Sequence, residues 1–123
     1  MARVIVADDD LLVRQLLRDL LSREGFDVGI CADGLDALRR AELEEPALWV
    51  LDLEMPKASG IELIRGLRAR RVLTPVLLLS GAEDHPAIPA ALAHSGVELL
   101  LKPFRIGEFR RAVARALGRS RKS

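Results

Sequence analysis

Val50-Leu51-Asp52-Leu53-Glu54-Met55-Pro56 is the stretch whose reading decides the fold. Leu48 to Leu51 is a short apolar run without polar alternation, the pattern of a strand covered on both faces. The run delivers one carboxylate, Asp52, to its end, and Pro56 halts pairing just beyond. A carboxylate there is poorly solvated unless a charge or a hydrogen-bonding group meets it. Three other apolar runs supply such groups. Val4 to Ala7 is followed by Asp8-Asp9, Val76 to Leu79 by Ser80, and Glu98 to Leu101 by Lys102.

Outward from this strand, helical and extended patterns alternate. Leu12, Val13, Leu16, Leu17, Leu20 and Leu21 repeat with helical spacing behind Asp10, a good N-cap, and Gly25 stops the helix. Phe26 to Cys31 reads as a second strand, interrupted by Gly29, and Asp33-Gly34 as a turn. Leu35 to Leu43 reads as a helix with Ala37, Leu38 and Ala41 inward, ended by Glu44-Glu45-Pro46. Past the loop Pro56 to Gly60, a helix carries Ile61, Leu63, Ile64 and Leu67. Pro86 and Pro89 confine the fourth helix to a short segment beginning near Ile88 and ending before Gly96, since proline fits only a first turn. The last helix has Ile106, Phe109, Val113 and Leu117 on one face and Arg110, Arg111 and Arg115 on the other. A basic, frayed tail is expected from Gly118 on.

Five strand–helix alternations with short connections predict an α/β domain: a doubly wound parallel sheet with helices on both faces. Right-handed crossovers and one reversal of strand order leave a crevice at the carboxyl edge of such a sheet. Asp8, Asp9, Asp52, Ser80 and Lys102 all fall on that edge.

Composition bounds the function classes. A chain of 123 residues makes one domain with its own core. Nineteen basic and 18 acidic residues leave a net charge of +1, so no whole-chain field points to nucleic acid or membrane. The single cysteine, Cys31, excludes an internal disulfide and fits a reducing compartment. The apolar segment after Met1-Ala2-Arg3 is too short for a signal peptide, no segment has the length of a membrane span, and a cytoplasmic location is expected.

The crevice has a definite chemistry. Three carboxylates crowded together raise one another's pKa unless compensated. Lys102 offsets one charge, and a hard divalent cation with oxygen ligands, Mg²⁺ above all, suits the others. A carboxylate can also act as a nucleophile toward phosphorus, with cations and a hydroxyl such as Ser80 on the equatorial oxygens.

With these residues in view, the chain resembles a response-regulator receiver domain of bacterial two-component signalling. The resemblance rests on Val4-Ile5-Val6-Ala7-Asp8-Asp9-Asp10 with Arg14, Leu51-Asp52-Leu53-Glu54-Met55-Pro56 with Gly60, Leu79-Ser80-Gly81, and Lys102-Pro103-Phe104. It implies a flavodoxin-like five-stranded sheet in the order 2-1-3-4-5, with residues 1–118 as the receiver and 119–123 as a basic tail. It implies that Asp52 accepts a phosphoryl group from a sensor histidine kinase or a histidine phosphotransfer protein. Asp8, Asp9 and Asp52 would hold Mg²⁺, together with the Glu54 backbone carbonyl, while Ser80 and Lys102 would contact the phosphoryl group. A cis peptide bond before Pro103 is also implied, and the output would be switched contacts with a downstream protein, an output domain or a second copy. Glu54 and Ala82 occupy positions where the family tunes dephosphorylation.

Departures from the family pattern are specific. Leu99 stands three residues before Lys102, where an aromatic ring usually accompanies the hydroxyl's shift. Ser59 replaces the common Asp before the loop glycine, Arg105 replaces a polar N-cap, and Gly107 weakens the first turn that follows.

Two other classes compete. A haloacid dehalogenase-like hydrolase also uses Asp, Ser or Thr, Lys and acidic metal ligands. Its nucleophile motif comes first and carries a second Asp two residues on, whereas Glu54 holds that place here and the acidic pair precedes. A binding-only pseudo-receiver would lack part of the set that is present. His85 and His94 read as isolated surface residues, Trp49 as core packing, and the arginines of the last helix as a solvated face rather than a nucleic-acid surface.

Overall fold

A computed structural model describes residues 2–122. The elements follow as β1 (Arg3–Ala7), α1 (Leu11–Arg23), β2 (Asp27–Cys31), α2 (Gly34–Leu43), β3 (Leu48–Asp52), α3 (Gly60–Ala69), β4 (Val76–Ser80), α4 (Ile88–Leu92), β5 (Val97–Leu101) and α5 (Ile106–Lys122). All four strand pairings are parallel, and the order is β2-β1-β3-β4-β5. The fold class expected from the sequence is the one observed.

Alternation along each strand divides the core into two layers. Ile5, Trp49, Leu51, Val76 and Leu78 point to one face and pack with Ala37, Leu63, Ile64 and Ala91 of α2, α3 and α4. Val4, Val6, Leu48, Val50, Leu77 and Leu79 point to the other and meet Leu17, Leu20, Leu21, Phe109 and Val113 of α1 and α5. β3 and β4 are buried along their full length, which is why their sequences show no polar alternation.

Local chemistry sets the helix ends. Asp10 caps α1 by accepting from the Leu12 and Val13 amides, and Gly25 closes its far end at φ +92°. Asp33 caps α2, which begins at Gly34, one residue earlier than the sequence suggests. Ser59 and Glu62 form a reciprocal capping box at the start of α3, so the Ser that departs from the family pattern starts its helix well. Arg105 caps α5 with no side-chain oxygen, but Glu108 Oε1 accepts from its backbone N–H at 2.9 Å. α4 is five residues long with Pro89 in its first turn, as the prolines required.

Two details differ from the sequence reading. Only part of the apolar stripe of α1 reaches the core: Leu17, Leu20 and Leu21 are buried, Val13 is half-buried, and Leu12 and Leu16 are exposed. α5 also continues through Gly118 to Lys122 rather than stopping at the expected tail, of which Ser123 lies outside the described residues. A single glycine costs a helix only about 1 kcal/mol, which the flanking Ala and Arg residues offset.

Candidate functional site

The sheet places its chemistry at one edge. Asp52 is the last residue of β3 and lies in register with Leu79, immediately before Ser80. The β4–β5 ladder runs one step further, the Lys102 N–H donating to the Ser80 carbonyl at 2.7 Å. The Asp8 N–H likewise extends the sheet by donating to the Cys31 carbonyl at 3.2 Å. Residues up to 94 positions apart are thereby in contact.

Three consecutive acids have three environments. Asp8 is fully buried: its Oδ1 accepts from the Asp10 N–H at 2.9 Å and its Oδ2 from Lys102 Nζ at 2.8 Å. Asp9 is exposed on the rim, and Asp10 is spent on the helix cap. Arg14 secures the turn, donating from Nη1 to the Asp8 carbonyl at 2.8 Å.

Asp52 is buried, with Oδ2 at 3.5 Å from Lys102 Nζ and Oδ1 at 3.5 Å from the Glu54 amide nitrogen. Burial, followed by the negative charge of Asp8, pushes its pKa up to about 6 against the opposing pull of Lys102 and the Glu54 N–H. Burial acts to lower the Lys102 pKa. Its hydrogen bond to Asp8 and the charges of Asp52 and Asp8 outweigh that, so the net shift is upward and the ammonium stays charged.

Carboxylate oxygens of Asp8, Asp9 and Asp52 all lie within 4.8 Å of one another. An all-oxygen donor set carrying more negative charge than one lysine neutralises fits a hard divalent cation, not a soft one. The Glu54 carboxylate is not in this set. It is turned to solvent and to His85, whose Nε2 lies 3.6 Å from Glu54 Oε1.

Ser80 is fully buried, and its hydroxyl donates to the Ala82 carbonyl at 2.9 Å while accepting from the Ala82 N–H at 3.2 Å. Leu99 is half-buried and packs into the α2–α3–α4 side of the core. The Lys102–Pro103 peptide bond is cis, as the resemblance implied.

The loop after β3 is braced from both sides. On one, Lys57 pairs with Asp33 at 3.3 Å and the Gly34 N–H donates to the Pro56 carbonyl at 3.3 Å. On the other stands His85, facing Glu54, a residue that no pattern in the sequence singles out. Its spacing from Ser80 matches no ligand pattern, and only the fold brings it beside Glu54.

This geometry agrees with what comparison with known proteins shows. The chain belongs to the response regulator receiver domain family, whose model matches residues 4–114, and is a receiver domain of two-component signalling. It is 35% identical over 118 residues to the alkaline phosphatase synthesis transcriptional regulatory protein PhoP of Bacillus subtilis, covering 96% of this chain and 49% of that protein. It is 32% identical over 120 residues to the transcriptional regulatory protein PdtaR of Mycobacterium tuberculosis, covering 97% of this chain and 58% of that one. The chain thus spans about half the length of these curated relatives. Among solved structures, the Francisella response regulator 1452 receiver domain superposes with a TM-score of 0.84 at 30% identity, over 98% of this chain and 99% of that one. The receiver domain of the Pseudomonas aeruginosa sensor histidine kinase PA1611, with magnesium coordinated in its active-site cleft, gives 0.83 at 26%, covering 95% and 98%. Among the described residues, no helix is long and apolar enough to cross a membrane.

Proposed function

We propose that Asp52 is the phosphoacceptor of a two-component phosphorelay. An oxygen of its carboxylate attacks the phosphorus of a phosphohistidine on a sensor kinase or phosphotransfer protein. The P–N bond breaks, its electron pair leaves with the imidazole, and an acyl phosphate forms on Asp52. The observation that carries this reading is the buried Asp52 carboxylate at the end of β3, within 3.5 Å of Lys102 and inside the acidic cluster. Lys102 draws the incoming phosphoryl oxygens toward Asp52, and Ser80 donates to one of them after leaving Ala82.

Asp8 and Asp9, with Asp52 and the Glu54 backbone carbonyl, would hold Mg²⁺, for which the donor set and the magnesium in the PA1611 receiver are the support. Bound there, Mg²⁺ supplies the positive charge that lets two anions, carboxylate and phosphoryl, approach. Asp8 keeps Lys102 aimed at the site through its 2.8 Å bond. An open apolar groove of about 450 Å³ between Val13 and Leu16 of α1 and Pro103 and Phe104 lies beside Lys102, a landing surface for the donor protein.

Residues 1–118 would form the switching unit, with 119–123 as a basic extension. We place the domain in the cytoplasm, acting on a downstream protein, an attached output domain or a second copy, and not itself binding nucleic acid or membrane. Self-catalysed phosphorylation and dephosphorylation would be its only chemistry.

Beryllium fluoride, a phosphoryl mimic that coordinates a carboxylate oxygen, tests the reading. Together with Mg²⁺, at a hundredfold excess over Kd, it is expected to stabilise the protein by about 2.7 kcal/mol. Asp52→Asn, measured against its own baseline, should show none of the beryllofluoride-dependent part. An equal shift in the variant, or none in the wild type, would contradict the assignment.

A further inference from the structure

A continuous bridge crosses the mouth of the crevice. The Glu54 amide faces Asp52 Oδ1, and the Glu54 carboxylate faces His85 Nε2 at 3.6 Å. The His85 ring is fixed by its other nitrogen: Nδ1 accepts from the Ala87 N–H at 3.0 Å, which leaves Nε2 as the N–H aimed at Glu54. The His85 backbone N–H donates at 3.3 Å to the Ala82 carbonyl, the same oxygen that takes the Ser80 hydroxyl at 2.9 Å. Phosphoacceptor Asp52 and the Ser80 hydroxyl are therefore joined through three residues, Glu54, His85 and Ala82. The hydroxyl's one proton is committed to the Ala82 carbonyl.

We propose that His85 is a positioning residue: held against Glu54 across the crevice, it keeps the β4–α4 turn closed and the Ser80 hydroxyl on Ala82, and so restrains phosphoryl uptake at Asp52. The inference rests on the phosphoacceptor reading above. Ser80 has one hydroxyl proton, so donation to a phosphoryl oxygen requires release from the Ala82 carbonyl. The carbonyl that holds it is also held by the His85 backbone N–H, and the His85 ring faces Glu54 of the β3–α3 loop. A half-exposed contact at 3.6 Å between a neutral imidazole N–H and a carboxylate is weak, so the restraint is a modulation rather than a block. Glu54 reaches the reaction through His85 even though its carboxylate lies outside the acidic cluster.

The test is a double-mutant cycle on the initial rate of phosphoryl uptake from a small acyl-phosphate donor in saturating Mg²⁺, read by intact mass. His85→Ala is expected to raise the rate about threefold. Glu54→Gln, on a side chain that is mostly exposed, should raise it similarly, and the double variant should be no faster than either alone. In a Ser80→Ala background, His85→Ala should change nothing. Thermal unfolding of each variant separates these effects from loss of fold. An unchanged rate in His85→Ala, or an effect of equal size with and without Glu54, overturns the proposal while leaving Asp52 as acceptor. Failure of the wild type to take up a phosphoryl group from either the small donor or an active kinase overturns the phosphoacceptor reading itself.

Discussion

Asp52→Asn is expected to make the metal-free protein more stable at neutral pH by about 2–3 kcal/mol while abolishing phosphoryl uptake. Burial and the neighbouring Asp8 hold the Asp52 pKa near 6, above its ordinary value of 3.8, so the folded state binds the proton more tightly than the unfolded chain does. Below about pH 3.8 the carboxyl is protonated in both states and costs nothing. As the pH rises toward 6 the unfolded chain loses its proton first, and stability falls. Above 6 the whole penalty is present. Asparagine has the same shape and no charge, so its advantage should grow over this window and flatten beyond it. Lys102 keeps Asp8 as a partner at 2.8 Å and is not orphaned by the change. Denaturant unfolding in the presence of a chelator, at acidic and at neutral pH, measures the difference. A variant no more stable than wild type at neutral pH would show that Asp52 is not strained in the apo site.

Gly34→Ala should be the more damaging of two matched helix substitutions, costing about 3 kcal/mol or more. A Cβ at Gly34 would overlap the Ala58 carbonyl oxygen and come within 2.6 Å of the Ala58 carbonyl carbon and Cβ. Ala58 is buried, and its backbone cannot swing aside as a long side chain would. The displaced segment lies in the same loop as Glu54, so affinity for Mg²⁺ should fall along with stability. Gly66 in α3 is the control: its added Cβ would meet only Leu38 Cδ2, at 3.8 Å. Gly66→Ala should stabilise by about 0.5–1 kcal/mol through helix propensity alone. Similar denaturation midpoints for the two variants would mean that the Gly34–Ala58 contact relaxes at little cost.

Much of this site was legible because its residues sit at strand ends. An apolar run followed by Asp, Ser or Lys can be read without structure, and a parallel sheet brings all such ends to one edge. Asp10 as a cap and Pro89 as a helix start were equally local. What stayed hidden depends on contacts between distant segments. Helical periodicity marks the apolar stripe of α1 but not how far it sinks, so Leu12 and Leu16 proved exposed. Nothing near Gly34 in sequence announces Ala58, and nothing near His85 announces Glu54. The engagement of Ser80 with Ala82 is a conformational choice that residue types do not encode.

The most direct measurement is the intact mass of the protein after incubation with Mg²⁺ and a small acyl-phosphate donor, with Asp52→Asn alongside. One phosphoryl adduct per chain, requiring Mg²⁺ and absent from the variant, is the expected result. An adduct that persists in Asp52→Asn, or none in the wild type even with an active kinase as donor, would contradict the assignment of Asp52 as phosphoacceptor.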